Sequence, residues 1–161
     1  MTATLLRIAR PAGALAALVL VAGAGCAFGG GVQMTPQIIQ QSGTHAFSAP
    51  YDKVFVATVG ALKSEGFPIA VSQPDTGLIK TGQKLIRTVA HGGGGSAVAV
   101  DVTRQYVVRV TKAEGGAVVT AEPRIFQGNA ELTDGAIWDI DSPEGERALW
   151  RRLFRDVQDA L

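Results

Sequence analysis

The sequence predicts an α+β fold in which an antiparallel β-sheet carries two helices packed on one face. Apolar residues recur at helical spacing over residues 51–62 and again over residues 149–161. Between these segments, short runs with alternating apolar residues are separated by turns that contain glycine. An isolated amphipathic helix is only marginally stable in water, so both apolar stripes require the sheet to cover them.

The N-terminal segment, residues 1–25, has the layout of a secretory signal peptide. Arg7 and Arg10 precede an apolar core of residues 12–22, and no acidic residue is present. This core is shorter than the ~20 residues that a membrane-spanning helix needs. The small residues that follow it suit cleavage by a signal peptidase.

The sequence Gly23-Ala-Gly-Cys26 resembles the lipobox of bacterial lipoproteins, with Gly23 standing where leucine is usual. The resemblance implies that the leader is removed before Cys26, the only cysteine, and that its thiol is lipidated. Acyl chains contribute ~0.8 kcal/mol per buried methylene, so several chains anchor a protein stably. Ala27, in place of aspartate, implies an outer-membrane location facing the periplasm. The alternative is a secreted protein with a free thiol.

The remaining chain divides into a tether over residues 26–44 and a single α+β domain over residues 45–161. The tether prediction depends on Gly29-Gly-Gly31 and on a scarcity of charged residues. The fifteen basic residues include two in the leader, which leaves thirteen against fourteen acidic ones. Without a basic excess the domain is not expected to bind nucleic acid.

The first half of the domain predicts a strand, a helix and a hairpin. Residues 45–48 form a short strand candidate, and Pro50 fits the first turn of the helix that follows. We expect Gly66 to end this helix. Residues 67–73 and 78–82 then predict two strands joined by a turn at residues 74–77, and the second strand could continue through Ile86.

The second half predicts a longer hairpin and a closing helix. Residues 97–112 and 117–126 predict strands joined by a turn at residues 114–116, and residues 127–141 show no clear pattern. Ser142 and Pro143 predict the N-cap and first turn of the last helix. Its apolar face would comprise Leu149, Trp150, Leu153, Phe154, Val157 and Leu161.

Residues 47–66, followed by Ile69-Ala-Val and Asp75-Thr-Gly-Leu-Ile79, resemble small bacterial envelope lipoproteins. They are similar to the helix-grip domains of the lipoprotein in the β-barrel assembly machine. The resemblance covers residues 45–126. It implies a helix-grip-like fold, no enzymatic activity, no cofactor, and an envelope protein as a possible partner.

Two patterns resemble catalytic or metal sites. His91 and the four glycines after it resemble the oxyanion loop of lipases, but no Gly-x-Ser-x-Gly motif accompanies them, so a mobile loop is favoured. Four acids could bind a hard cation, although their spacing does not fit an EF-hand and a solvated loop is the simpler interpretation. These acids are Asp134, Asp139, Asp141 and Glu144. His45 and His91 alone are too few for a catalytic zinc site.

Two further groups could bind partners. Arginines on the last helix could contact anionic lipid, but a solvated face neutralised by Glu144, Glu146 and Asp156 is the favoured interpretation. These arginines are Arg147, Arg151, Arg152 and Arg155. Trp138, Trp150 and Phe154 could line a pocket under the sheet, with core packing as the simpler role.

The sequence therefore predicts a membrane-anchored envelope lipoprotein that acts as a non-enzymatic binding or scaffolding module, accessory to outer-membrane assembly. The alternative is a carrier of a small apolar ligand, held between the sheet and the C-terminal helix.

Overall fold

The computed structural model describes residues 32–92, 98–133 and 138–161, which form three helices and seven strands. The helices are α1 (Pro36–Ser42), α2 (Tyr51–Ser64) and α3 (Glu146–Asp159). The strands are β1 (Thr44–Phe47), β2 (Ile69–Gln73), β3 (Leu78–Thr81), β4 (Lys84–His91), β5 (Val98–Ala113), β6 (Gly116–Gln127) and β7 (Ala130–Glu131).

All seven strands belong to one antiparallel sheet, in the order β1-β6-β5-β3-β2. The long strand β5 has two neighbours on the same side. β3 pairs with its residues 107–109, and β4 pairs with its residues 98–104. β7 adds a short pairing to the end of β6. Thus β4 continues the line of β3 along β5.

The main core lies between this sheet and the helices, where α2 and α3 also pack on each other. Alternate residues of β5, namely Tyr106, Val108 and Val110, point into it and are almost fully buried. Trp150 and Val157 of α3 are buried against the same face. The predicted α+β, helix-grip-like class, with two helices on one face of an antiparallel sheet, is confirmed.

Helix α2 ends as its sequence predicts. Gly66 has a φ of 81°, which is accessible to glycine at low cost. Its N–H donates to the carbonyl of Lys63, and the N–H of Phe67 donates to the carbonyl of Leu62. These two bonds define a Schellman motif, which satisfies carbonyls that a helix end would otherwise leave unpaired.

The predicted tether over residues 26–44 differs from the structure in its second half, where α1 forms. The side chain of Thr35 accepts a hydrogen bond from the N–H of Ile38, 3.3 Å away, and caps the helix. Met34 and Ile38 pack against the core. A seven-residue helix has little stability alone, so these tertiary contacts explain why the local sequence did not predict it.

The last helix begins later than predicted. Ser142 and Pro143 lie in a turn, and Gly145 is the N-cap of α3. The N–H of Glu146 donates to the carbonyl of Asp139 at 3.0 Å, and that of Arg147 to Ile140 at 3.1 Å. Because backbone carbonyls of the preceding loop satisfy these donors, no serine cap is needed.

Two glycines provide a test of the helix packing. Gly60 lies exposed within α2, where an added Cβ would have nothing within 4 Å. We expect Gly60→Ala to raise the free energy of unfolding by about 0.5–1 kcal/mol, because alanine loses less backbone entropy on folding. At Gly43, a Cβ would lie 2.9 Å from the Trp150 ring. There we expect Gly43→Ala to lower it by about 1–3 kcal/mol. Urea denaturation measures both changes, and equal signs would contradict this packing.

Candidate binding surface

The outer edge of β4 is the longest uncovered strand edge in the described part of the chain. β4 has eight residues and pairs with β5 on one side only, whereas the uncovered edge strands β1 and β2 have four and five residues. The outer edge of β6 is, by contrast, covered over most of its length. β1 pairs with the first part of this edge. Farther along, the N–H of Ala121 donates to the carbonyl of Gly43, Pro123 has no N–H, and the carbonyl of Ile125 accepts from the N–H of Leu132.

The hydrogen bonding of β5 shows which peptide groups of β4 face outward. The carbonyl of Asp101 accepts a bond from the N–H of Gly128, on the β6 side, at 2.8 Å. In an antiparallel strand the N–H and C=O of one residue point to the same side and alternate along the chain. Thr88, opposite Asp101, therefore directs both groups away from β5. By the same alternation, Ala90 also directs its N–H and C=O away from β5. Leu85, on the other side of the register irregularity at residue 86, directs its two groups the same way.

Large apolar side chains are exposed along this hairpin. Leu85, Ile86 and Val98 are 56%, 42% and 65% exposed. They account for three of the six exposed large apolar residues in the described ranges. Leu85 and Ile86 lie near the start of β4, and Val98 lies opposite its last residue. Exposed apolar residues beside an unpaired edge are typical of an interaction site.

The charge of β4 is basic. Arg87 is exposed, and it makes no ion pair within residues 32–92, 98–133 and 138–161. Lys84 is instead engaged, because its Nζ donates to the carbonyl of Glu65 and lies 4.9 Å from the centre of the Phe67 ring. Arg87 is therefore the cation on this edge that a partner could pair.

The break between β3 and β4 places β4 at the edge. Side chains replace the ladder there: Thr81 Oγ1 accepts from the N–H of Tyr106 at 2.9 Å, and Gln105 Nε2 donates to the Thr81 carbonyl at 2.7 Å. Gly82 then turns back to bond the carbonyl of Pro68 at 2.6 Å. The predicted continuation of the strand through Ile86 was therefore wrong: β3 ends at Thr81, and a separate strand, β4, begins at Lys84.

A buried polar cluster lies at the start of α3, on the helix side of the sheet. Glu146 is fully buried; Tyr106 Oη donates to its Oε1, and its Oε2 lies 3.2 Å from Nε of Arg104. Burial raises the pKa of Glu146, although Arg104 and the Tyr106 hydrogen bond lower it. Burial, with the Glu146 charge, also raises the pKa of Tyr106. The expectation that Glu146 lies on a solvated helix face was wrong.

Cys26, the predicted lipidation site, and Asp134 lie outside the described residues. The other predicted acids do not converge. Asp139 accepts from the N–H of Ser142 at 3.1 Å, and hydrogen bonds from Ser142 lower its pKa. Asp141 pairs with Arg147, and Glu144 is exposed. Among the residues that the structure describes, no group of three His, Cys, Asp or Glu side chains could hold a metal ion.

The arginines of α3 lie on a face neutralised by acids, as favoured, but with partly different partners. Arg152 pairs with Glu65 at 3.1 Å, and Arg155 with Asp156 at 3.0 Å. Arg151 is exposed. Exposed pairs of this kind contribute little to stability, and their neutralised charge gives anionic lipid little to attract.

Of the aromatic residues proposed to line a pocket, Trp150 and Phe154 are buried in the core, whereas Trp138 lines an open cleft of about 490 Å³ between α1 and β6. Trp150 is fully buried and donates through Nε1 to the carbonyl of Ala121 at 3.0 Å. Trp138 is buried and pairs in the backbone with Val32. The cavity beside Tyr106 and Leu153, between the sheet and α3, has a volume of about 10 Å³. This volume is too small for an apolar ligand.

The two histidines lie on different strands and have different neighbours. His45 is exposed on β1, and its ring contacts Phe47 and Phe154, with centroids 4.7 and 5.3 Å away. His91 pairs in the backbone with Val98 at the end of β4. The predicted glycine loop after it lies, from residue 93 to Ser96, outside the described residues.

Comparison with known proteins gives little. No protein-family model matches the chain, and no curated protein matches it. A crystal structure of Ara h 8.0201 aligns with 72% of this chain and 95% of its own, at 14% identity and a TM-score of 0.32. A likeness this low carries no conclusion about ligands or partners, and the fold class stands on the sheet order and helix packing described above. No helix in the described ranges is long and apolar enough to span a bilayer.

Proposed function

We propose that this protein is a membrane-anchored envelope lipoprotein whose domain is a non-enzymatic binding module, accessory to outer-membrane assembly. The leader and the lipobox-like sequence before Cys26 support the anchor. The observation that supports the binding role is the edge of β4, which no described strand covers, with its exposed apolar residues. The nearly closed core between sheet and α3 favours binding at the surface over an enclosed ligand.

The position of Val32 limits how far the domain can stand from its anchor. Val32 already pairs with Trp138 and thus belongs to the folded body. Five residues lie between it and Cys26, so the six steps of at most about 3.6 Å each span at most about 22 Å. Tethering at this range raises the effective concentration of the domain for a membrane-bound partner.

The anchor is tested by intact mass and detergent partitioning of the full chain expressed in a Gram-negative bacterium, beside Cys26→Ala. We expect the wild type to lose residues 1–25, gain acyl mass and enter the detergent phase. We expect Cys26→Ala to stay unacylated and to lose most of this partitioning, because its acyl chains are absent. An unacylated wild type that remains in the aqueous phase would refute the proposal.

A further inference from the structure

We infer that β4 binds an extended segment of an envelope protein that carries acidic and apolar residues, as an additional strand of the sheet. This inference rests on the proposed role as a binding module and specifies its partner. It unites two independent observations made on the described residues, the peptide groups of β4 that no described strand covers and the Arg87 cation that no described acid pairs.

The backbone determines the shape of the partner. Leu85, Thr88 and Ala90 direct their N–H and C=O groups away from β5, which gives a row of alternating donors and acceptors. Thr88 and Ala90 are two residues apart, the spacing at which an extended chain presents complementary groups, and Leu85 lies beyond the register irregularity at residue 86. Main-chain bonds of this kind supply affinity with little dependence on sequence. A helix cannot do so, because its own backbone groups are already paired.

The side chains determine the chemistry of the partner. Arg87 is exposed on the helix side of β4 and has no ion pair in the described ranges. An acidic residue opposite it on the added strand would form an ion pair with it. Leu85 and Ile86 are exposed nearby and would be covered by apolar side chains. A strand in which acids alternate with apolar residues satisfies both requirements.

A second copy of the same edge fits less well. The charged residues of β4 are Lys84 and Arg87, and the strand contains no acid. Pairing two β4 strands would therefore bring like charges together, which disfavours cross-strand pairing. The edge favours a different, acidic chain over itself.

The test uses the mature protein with alanine at position 26 and eight-residue capped peptides. One peptide alternates valine with glutamate and threonine, and its match has lysine in place of glutamate. We expect the glutamate peptide to bind on the order of 5-fold more tightly. We also expect amide hydrogen exchange to slow at Leu85, Thr88 and Ala90, since only an added strand bonds those groups. Equal binding of the two peptides, or protection elsewhere, would overturn the inference.

Variants separate backbone pairing from charge. Thr88→Pro removes an outward N–H and should weaken binding by about 10-fold. Thr88→Val is its control, because it loses the same 2.7 Å bond to Asp101 and keeps the N–H. Arg87→Glu should reverse the preference between the peptides, whereas Arg109→Glu, at an exposed position of β5, should not. Unchanged binding in Thr88→Pro and Arg87→Glu would refute strand addition and leave the anchor result standing.

Discussion

Replacing Trp150 by alanine is expected to lower the free energy of unfolding by about 3–5 kcal/mol. The indole is fully buried in the core between the helices and the sheet, and its Nε1–H is bonded to the carbonyl of Ala121. Truncation would leave a cavity and an unpaired buried carbonyl together. Because small domains are stable by only about 5–15 kcal/mol, the variant should show a much lower urea midpoint.

Trp150→Phe is the matched control. It keeps most of the apolar volume and removes only the donor to Ala121, so it should cost about 1–3 kcal/mol. A Trp150→Ala loss under about 1.5 kcal/mol would contradict a Trp150 that closes the core. Such a small loss would instead favour the binding of an apolar ligand beneath the sheet.

Removing Arg104 is the second large effect that we expect. Arg104 is 14% exposed and lies against a Glu146 side chain that is fully buried. Taking away one partner of a buried pair typically costs about 3–5 kcal/mol, because the remaining charge is uncompensated. We therefore expect Arg104→Met to lose about this much stability at pH 7.

The pH dependence of this loss has a defined sign. The pKa of Glu146 is raised in the folded state, chiefly by burial. Its stabilising contribution is therefore complete below the unfolded pKa of about 4.3 and is lost as the pH rises through the folded pKa. Arg104 lowers that pKa, so Arg104→Met should raise it further. The deficit of this variant relative to wild type should shrink as the pH falls from 7 towards 4.5.

The double variant Arg104→Met with Glu146→Gln provides the control. It carries no buried charge at this position, so it should recover much of the stability at pH 7 and show a weaker pH dependence than Arg104→Met. Urea unfolding from pH 4.5 to 8 measures both variants and the wild type. An Arg104→Met deficit that is constant across this range would show that Glu146 is not the titrating group.

The sequence predicted the elements whose signals are local. The apolar stripe of α2 lies between Pro50 and Gly66, which sharpen both of its ends. Gly77 and Gly115, with φ of 70° and 76°, supply the turns that were predicted around them. Such features depend on a few neighbouring residues, and they therefore appear in the sequence itself.

What was missed depends on distant residues. Glu146 has the polarity of a surface residue, and its burial follows from Tyr106, 40 positions earlier, and from Arg104. The β4 edge arises because Thr81 and Gln105 replace the ladder at the end of β3. The one available signal was Gly82 within an apparently continuous strand, since a glycine there often marks an irregularity.

The anchored binding module is tested most directly by photo-cross-linking in intact cells, with a photoreactive residue in place of Thr88 or, as a control, of Arg109. We predict a discrete adduct with an envelope protein from position 88, strongly reduced by Cys26→Ala and absent from position 109. The three results together require both the anchor and the β4 edge. Adducts of equal yield from both positions would contradict the anchored binding module. An adduct yield from position 88 that Cys26→Ala leaves unchanged would also contradict it.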